Sequence, residues 1–265
     1  MDSDRALNEG ISFCTTCHNR LWQLKQTLPS NLAALGPDME LVLIDYASTD
    51  GLSEWVWAHF ANQIQEGRLI YFSLTHTVSW HVCKAKNLAH RLATRRYVFN
   101  LDADNFVTAE DLLHIRRAAA QEMPAHQWTE DWQDGSFGRI GLPRDLFMAL
   151  GGYDEGLLPM AGQDIDLIRR IHALDKRIWR LPAPHKPAIP NEKQDKIVAT
   201  TSREVDPEKF FDAMSKANLD LSKFKILHQG AVRDSGFATF QGLLNGAPIT
   251  IDGLGRVTRH EKAQR

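Results

Sequence analysis

Residues 97–105 read YVFNLDADN, an apolar run that ends in acidic residues. The run 97–101 predicts a short buried β-strand, and Asp102 and Asp104 follow it directly. Side chains two apart in an extended chain point to the same face, so both carboxylates can bind one ligand at the end of the strand. The alternative is a solvated loop in which an aspartate caps the next helix.

Similar strands precede this one along the chain, and helices separate them. Leucines recur at helical spacing after the first strand, and Gly36-Pro37 stops that helix. Strands that alternate with helices predict βαβ units, and therefore an α/β fold with a mostly parallel central sheet and helices on both faces. The predicted strands are 11–14, 41–44, 69–72 and 97–101, and the predicted helices are 21–35, 55–64 and 86–94.

Polar residues follow three of these strands, at 15–19, 45–50 and 102–105. In open α/β sheets, ligands bind at the carboxyl ends of the strands, so we expect these segments to line one site. Two carboxylates with open coordination positions suit Mg²⁺ or Mn²⁺, which commonly bind one or two carboxylates together with substrate phosphates.

The second half of the chain is less regular. Residues 140–143 predict a strand, 145–150 predict a brief helix, and another helix begins near Gln163. Four prolines crowd the loop 182–191. Beyond it the sequence predicts one helix at 207–217 and no further element, and we find no internal repeat.

The composition is that of an ordinary globular protein, with 43% hydrophobic and 24% charged residues in a chain of 265. The formal net charge is −2 and no block of like charges occurs, which argues against a nucleic-acid footprint. The polar start MDSDRALNEG lacks the features of a secretory signal, and no apolar run approaches the ~18 residues of a membrane span. We therefore expect a cytoplasmic protein without a transmembrane segment.

The first predicted strand runs into CTTCHNR, whose Cys14-Thr-Thr-Cys17-His18 has the spacing of a c-type haem attachment site. Haem attachment takes place in an oxidising compartment, which the absence of an export signal argues against. A CxxC zinc site would need a second pair of ligands, and the only other cysteine is Cys83. We expect Cys14 and Cys17 to be packing residues.

The order of the motifs resembles glycosyltransferase family 2 and its relatives with the GT-A fold. In those proteins the first strand ends in a Pro-Thr-Tyr-Asn-Arg-like segment, followed by Asp-x-x-Ser-Thr-Asp-Gly, a basic-x-Asn helix start, and a strand ending in Asp-x-Asp. This chain has TCHNR at 16–20, DYASTDG at 45–51, Lys86-Asn87, and the Asp-x-Asp of 102–104, in the same order.

The second half is similar to the acceptor-side segment of the galactosyltransferase-like branch. There a Gly-Gly-Tyr/Phe-Asp-Glu loop precedes a Glu-Asp-x-Asp helix start. The corresponding segments here are GGYDE at 151–155 and GQDIDL at 162–167. The resemblance spans roughly residues 11–190. It implies a GT-A, Rossmann-like domain at 1–200, with a nucleotide-binding half at about 10–105 and an acceptor half at about 106–200. Residues 201–265 would be a C-terminal extension packed on the same domain.

The resemblance also implies roles for individual residues. Thr15, Thr16 and Asn19 would line the base pocket, and Asp45 would accept a hydrogen bond from uracil. Lys86 would approach the diphosphate or pair with Asp102. Alternatively, Lys86 is a solvated residue on the surface of a helix.

The implied metal site holds Mn²⁺ or Mg²⁺. Asp104 would be its direct ligand, Asp102 would touch ribose or metal, and His185 would complete the site. His172 and His228 compete with His185 for that role.

On the acceptor side, Asp164 matches the catalytic base of the family. Gln163, Asp166 and Tyr153 would contact the acceptor, although Asp166 could equally be an anion favoured in the first turn of a helix. Gln163 departs from the usual glutamate of the family, which puts acceptor recognition in doubt more than catalysis.

The function implied is metal-dependent, inverting transfer of a sugar from a UDP-sugar to a carbohydrate hydroxyl, as in polysaccharide biosynthesis. The alternatives are a retaining enzyme of the same fold, a sugar-nucleotide pyrophosphorylase, and a non-catalytic nucleotide- or carbohydrate-binding domain. The sequence does not identify the donor sugar, the acceptor, the linkage or the oligomeric state.

Overall fold

Four apolar segments pair as parallel strands in the computed structural model, which describes residues 8–76, 79–132, 134–190, 204–234 and 236–260. They are β1 (Asn8–Cys17), β2 (Met39–Asp45), β3 (Leu69–Leu74) and β4 (Arg95–Asn100), in the spatial order β3-β2-β1-β4. Every residue of β2 and β3 is buried, as expected for strands that helices cover on both faces.

The helices between these strands divide over the two faces of the sheet. Helices α1 (Leu21–Ala34), α2 (Leu52–Gln65) and α4 (Ala109–Ala120) pack on the face that contains Phe13. Helix α3 (Val82–Leu92) packs on the opposite face, which contains Cys14. This split places two hydrophobic clusters against one sheet and positions the carboxyl ends of β1 and β4 side by side.

The second half extends the sheet beyond β4. Strands β5 (Ala125–Gln127), β6 (Ile140–Pro143) and β7 (Trp179–Leu181) continue in the order β4-β6-β5-β7, and β6 is antiparallel to β4. Because of that direction, the segment before β6 meets the end of β4. Two further helices, α5 (Arg144–Ala149) and α6 (Gln163–Ala173), pack on the face that contains α3.

The C-terminal part contributes more structure than the sequence predicted. Helix α7 (Pro207–Gln229) runs well past the predicted end at residue 217. Strands β8 (Phe240–Leu244), β9 (Ala247–Ile251) and β10 (Val257–Arg259), none of them predicted, form an antiparallel meander that pairs with β3 at the other edge of the sheet.

The predicted fold class is confirmed: a Rossmann-like α/β domain of the GT-A type, with one large sheet between two layers of helices. The sheet is mixed: the central strands β3-β2-β1-β4 and the pair β5-β7 are parallel, whereas β6 and the meander pair antiparallel. The proposed division at residue 200 stays a prediction, since residues 191–203 lie outside the described residues, as do 1–7 of the N-terminal segment. None of the described helices is long and apolar enough to cross a bilayer.

Candidate active site

A cavity of about 410 Å³ opens at the carboxyl ends of β1 and β4. Its wall takes residues from both halves of the chain, including Thr16, Lys86, Asp102, Asp104 and Asp164. The two acidic motifs, which lie sixty residues apart in sequence, therefore share one cleft. This is the juxtaposition that the predicted chemistry requires.

Lys86 joins the two acidic motifs. Its Nζ lies 3.0 Å from Asp164 Oδ1 and 3.3 Å from Asp102 Oδ1, and only 2% of the side chain is exposed. Lys86 lies on helix α3, Asp102 follows the end of β4, and Asp164 lies in the first turn of α6. The ammonium compensates negative charge that would otherwise be buried beside it without a partner.

Gly138 permits this close approach. A Cβ placed on it would lie 2.5 Å from Asp102 Oδ2 and 3.4 Å from Asp164 Oδ2. Its carbonyl accepts a hydrogen bond from Asn100 Nδ2 at 2.9 Å, and the same amide donates to Asp102 Oδ1 at 3.1 Å. The segment before β6 is thereby fixed against the Asp-x-Asp motif.

Burial raises the pKa of the Asp164 carboxyl above its usual value, the positive charge of Lys86 acts against this rise, and the negative charge of Asp102 adds to it. Burial alone would lower the pKa of Lys86, but Asp102 and Asp164 together raise it well above its usual value. Lys86 therefore remains charged, and Asp164 is a stronger base than an exposed aspartate.

The donor set of the cavity fits a hard divalent cation that needs a substrate to complete its coordination. Asp102 and Asp104 both line the cavity. No three His, Cys, Asp or Glu side chains within the described ranges form a ready metal site. Mg²⁺ and Mn²⁺ commonly take one or two protein carboxylates and fill the remaining positions with water and phosphate oxygens.

The comparisons with known proteins agree with this geometry. The model of the family described as "Glycosyl transferase family 2" matches residues 12–148, more than half of the chain. The chain belongs to glycosyl transferase family 2. No curated protein sequence matches it.

Solved structures show that this family 2 glycosyltransferase shares the GT-A fold with distant relatives. TarS 1-349 from S. aureus, solved with UDP-GlcNAc, has a TM-score of 0.58 and 17% identity over 83% of this chain and 67% of its own. The mannosyltransferase PcManGT from Pyrobaculum calidifontis, solved with GDP-Man and Mn²⁺, has a TM-score of 0.57 and 17% identity, covering 88% and 78%. GalNAc-T7, solved with UDP, GalNAc and Mn²⁺, has a TM-score of 0.56 and 13% identity, covering 87% and 56%.

Of the predicted base-pocket residues, only Thr16 reaches the cavity of the glycosyltransferase. Thr15 Oγ1 donates to the Leu101 carbonyl at 2.7 Å and so ties β1 to the end of β4. Asn19 Oδ1 accepts from the Thr49 N–H at 2.7 Å, which holds two loops together. Asp45 is buried, and its oxygens accept hydrogen bonds from the Ser48 N–H and the Tyr71 hydroxyl. None of these three side chains lines the cavity, and their roles in base binding stay predictions.

His185 is not brought into the cavity. It is exposed, and its backbone N–H donates to Asp111 Oδ1 at 3.0 Å in the first turn of α4. The same loop passes the metal motif, where the Ile189 N–H donates to the Asp104 carbonyl at 2.8 Å. His185 does not line the cavity, and its role as a metal ligand stays a prediction.

Gln163 is the one predicted acceptor residue that lines the cavity, and its amide donates to Asp164 Oδ2 at 2.9 Å. Asp166 is fully buried and pairs with Arg170 at 2.7 Å and Arg233 at 3.5 Å. Tyr153 is also buried, with its ring 5.3 Å from Lys86 Nζ. The expectation that Asp166 and Tyr153 contact the acceptor is therefore corrected, because neither side chain reaches solvent.

The sequence left several cavity residues without a role, and for Trp80 it allowed either stacking on a substrate or packing in the core. Trp80 lies beside His18, with ring centroids 5.9 Å apart and nearly parallel planes. Both line the cavity next to Thr16, as does Arg20. His18 could have been found, because it follows β1 within the motif TCHNR. Trp132 and Gly138 carry no motif, so nothing in the sequence singled them out.

The cysteines behave as expected of packing residues. Cys14 and Cys17 are buried and free, and they belong to the clusters on opposite faces of the sheet. A strand alternates its side chains, so residues three apart cannot meet across it. The two cysteines of the haem-like motif therefore cannot attach one haem in this fold.

Proposed function

We propose that the protein is a metal-dependent inverting glycosyltransferase that moves a sugar from a UDP-sugar donor to a carbohydrate hydroxyl. The observation that carries the proposal is the pairing of Lys86 with both Asp102 and Asp164 in one cavity. That pairing puts a candidate base beside a motif suited to a nucleotide diphosphate.

The nucleotide would lie along the β1 side of the cavity. Thr16, His18 and Trp80 offer a polar edge and two flat rings there, which suits a planar base above a ribose. The bound ligands of TarS and GalNAc-T7 include UDP, and this supports a uridine donor. The mannosyltransferase binds GDP-Man, so GDP is the nucleotide to compare in the experiments below.

The chain's own residues supply the proton transfer. Each oxygen of Asp164 accepts one hydrogen bond, from Lys86 or from Gln163, and keeps a second lone pair for the acceptor hydroxyl. Its raised pKa makes proton removal more favourable as the hydroxyl attacks the anomeric carbon. Lys86 holds the carboxylate in place, so the base cannot rotate away from the attacking oxygen.

Asp102 and Asp104 are the residues that would hold Mn²⁺ or Mg²⁺. A divalent cation supplies charge compensation for the departing diphosphate. No covalent intermediate is required in this scheme, because the acceptor hydroxyl displaces the nucleotide from the opposite face and inverts the anomeric centre.

The test combines two variants and one product analysis. Asp164→Asn keeps the shape of the side chain and removes the base, so transfer should fall about a thousandfold or more while UDP binding by calorimetry is unchanged. Asp104→Ala should lose the part of UDP binding that depends on Mn²⁺. Asp175→Asn, at the exposed end of α6, is the matched control. Substantial turnover by Asp164→Asn, or an anomer retained in the product by NMR, would overturn the proposal.

A further inference from the structure

Trp132 is a large aromatic side chain that the protein leaves open to solvent. It is 62% exposed, and it also lines the wall of the cavity. A single exposed aromatic residue is ordinary, but one that belongs to an aromatic cluster at the mouth of a cavity is suited to bind a ligand.

Other aromatic rings hold Trp132 in place from behind. Its ring stacks on Phe137, with centroids 4.4 Å apart and planes at 25°. Trp128 meets both rings edge-on, at 5.0 Å from Trp132 and 4.8 Å from Phe137. His126 stacks on the far side of Trp128 at 5.5 Å. The outermost face of this cluster is therefore a preformed flat surface. A ligand that binds there loses little affinity to the ordering of side chains.

Hydrogen bonds within the loop fix the same surface. Asp134 accepts from the Thr129 hydroxyl at 2.6 Å and from the Ser136 N–H at 2.8 Å. Ser136 Oγ in turn accepts from the Thr129 N–H at 3.2 Å. These hydrogen bonds join residues on either side of Trp132 in the sequence and so restrict its position.

The order of the sheet places this surface on the side of the cavity away from the base pocket. Trp80 and His18 lie beside β1, whereas Trp132 and Phe137 lie in the segment before β6. Strand β4, which ends in the Asp-x-Asp motif, runs between β1 and β6. A sugar-nucleotide donor that extends from the base pocket to the metal motif would leave the Trp132 side of the cavity open to the acceptor.

The charges of the loop indicate what that substrate can be. Glu130, Asp131 and Asp134 are close neighbours of Trp132 in the sequence, and Glu130 pairs with Arg180. Acidic side chains at this rim disfavour an anionic ligand. A neutral pyranose suits the site, because the weakly positive C–H bonds on one face of the ring lie well against the negative face of an indole.

We propose that Trp132 is an acceptor-binding platform on which a neutral pyranose of the acceptor saccharide stacks. The assignment of that pyranose to the acceptor rests on the proposed transfer reaction. The stacking of a pyranose on Trp132 does not depend on that reaction, and the experiment tests the stacking and the reaction separately.

The experiment uses saturation-transfer NMR on the full chain with methyl glycosides of glucose, galactose and N-acetylglucosamine, and with methyl glucuronide as the anionic counterpart. At least one neutral glycoside should show transfer to the C–H protons of one ring face. Trp132→Ala should weaken that signal or the affinity roughly three- to tenfold, whereas Trp132→Phe should restore most of it. Trp22→Ala, which removes a 48% exposed tryptophan from α1, should have no effect.

Competition distinguishes the acceptor from the donor sugar. UDP-galactose, UDP-glucose and UDP-N-acetylglucosamine, added with Mn²⁺, should leave the glycoside bound; displacement by a UDP-sugar but not by UDP would assign Trp132 to the donor and overturn the proposal. No transfer to any neutral glycoside, equal transfer to the glucuronide, or an unchanged signal in Trp132→Ala would also overturn it. A thermal shift with UDP and Mn²⁺ on the same samples reports separately on the proposed function.

Discussion

Lys86 lowers the pKa of Asp164 from a position that solvent barely reaches, and it pairs with Asp102 as well. Lys86→Met keeps the length of the side chain and removes its charge, so Asp102 and Asp164 would repel one another. Because Lys86 holds down the pKa of Asp164 against the effect of burial, that pKa should rise further in the variant. The carboxylate must be ionised to accept a proton, so the fall of kcat/KM at low pH should begin at higher pH than in the unmodified protein.

The measurement is the pH profile of transfer, with Lys84→Met on the same helix as the control. Leaving a buried carboxylate unpaired should also cost about 3 kcal/mol of unfolding free energy at neutral pH. An acid limb that does not move, or moves to lower pH, would contradict the assignment of Asp164 as the base.

Gly138 provides a purely steric test of the same cluster. Its backbone needs no left-handed conformation, so an alanine would differ only by the methyl group that meets Asp102 and Asp164. Gly138→Ala should displace one carboxylate and lower kcat/KM about a hundredfold, with little change in Tm. Gly36→Ala is the control, since its methyl group would meet the exposed guanidinium of Arg116, which can move aside. Equal activity in the two variants would show that the carboxylates tolerate separation.

The residues of the site were predictable where a motif fixed them to the end of an element. Asp102, Asp104 and Asp164 reach the cavity because each directly follows a strand or starts a helix. Asp45 is the last residue of β2, but its carboxylate accepts hydrogen bonds from Ser48 and Tyr71 and does not line the cavity. Asp166 faces inward because Arg170 and Arg233 neutralise it there, and one sequence cannot reveal such partners.

Helix α7 holds the loop that leads into α6. The carboxamide of Asn218, fully buried, accepts from the Leu158 N–H at 2.7 Å and donates to the carbonyls of Leu158, Met160 and Ala161 at 2.7–3.2 Å. Met160 and Ala161 line the cavity just before Asp164. The C-terminal helix therefore supports the acceptor side of the site.

Asn218→Ala should loosen this support. The backbone groups that lose their partners are buried, so we expect a cost of about 1–3 kcal/mol of stability. Transfer should lose kcat by about tenfold while the affinity for UDP is unchanged, because the nucleotide side of the cavity does not depend on α7. Steady-state kinetics and calorimetry measure both, with the exposed Lys216→Ala as the control on the same helix. A loss confined to stability would reduce Asn218 to a packing role.

The elements were predictable where burial was uniform, and less so elsewhere. The strands β1 to β4 read clearly because helices cover both of their faces. Helix α7 buries few residues, so its sequence shows no clear hydrophobic periodicity after residue 217, although the helix continues. The β8–β9 hairpin does carry a sequence signal: Asn245-Gly246, with φ of 50° and 79°, is a preferred sequence of a tight hairpin turn.

At the scale of the whole molecule, the cavity joins the two halves of the sheet. Its wall runs from Thr16 near the end of β1 to Ser215 on α7, and Lys86 lies between the two acidic motifs. A ligand bound there contacts elements from most of the chain. Its binding free energy should therefore stabilise the fold as a whole rather than one lobe of it.

UDP with Mn²⁺ at about a hundred times its dissociation constant should stabilise the folded protein by about 2.7 kcal/mol. For a chain of this size that corresponds to a Tm increase of about 5–10 °C in a single transition. EDTA, or the Asp104→Ala variant, should remove most of the increase, because Asp102 and Asp104 offer the diphosphate only repulsion without a cation. GDP and ADP with Mn²⁺ test the base pocket and should give smaller shifts. An equal shift in EDTA would show that the diphosphate binds without metal, and a shift limited to one of two separate transitions would show that the halves unfold independently.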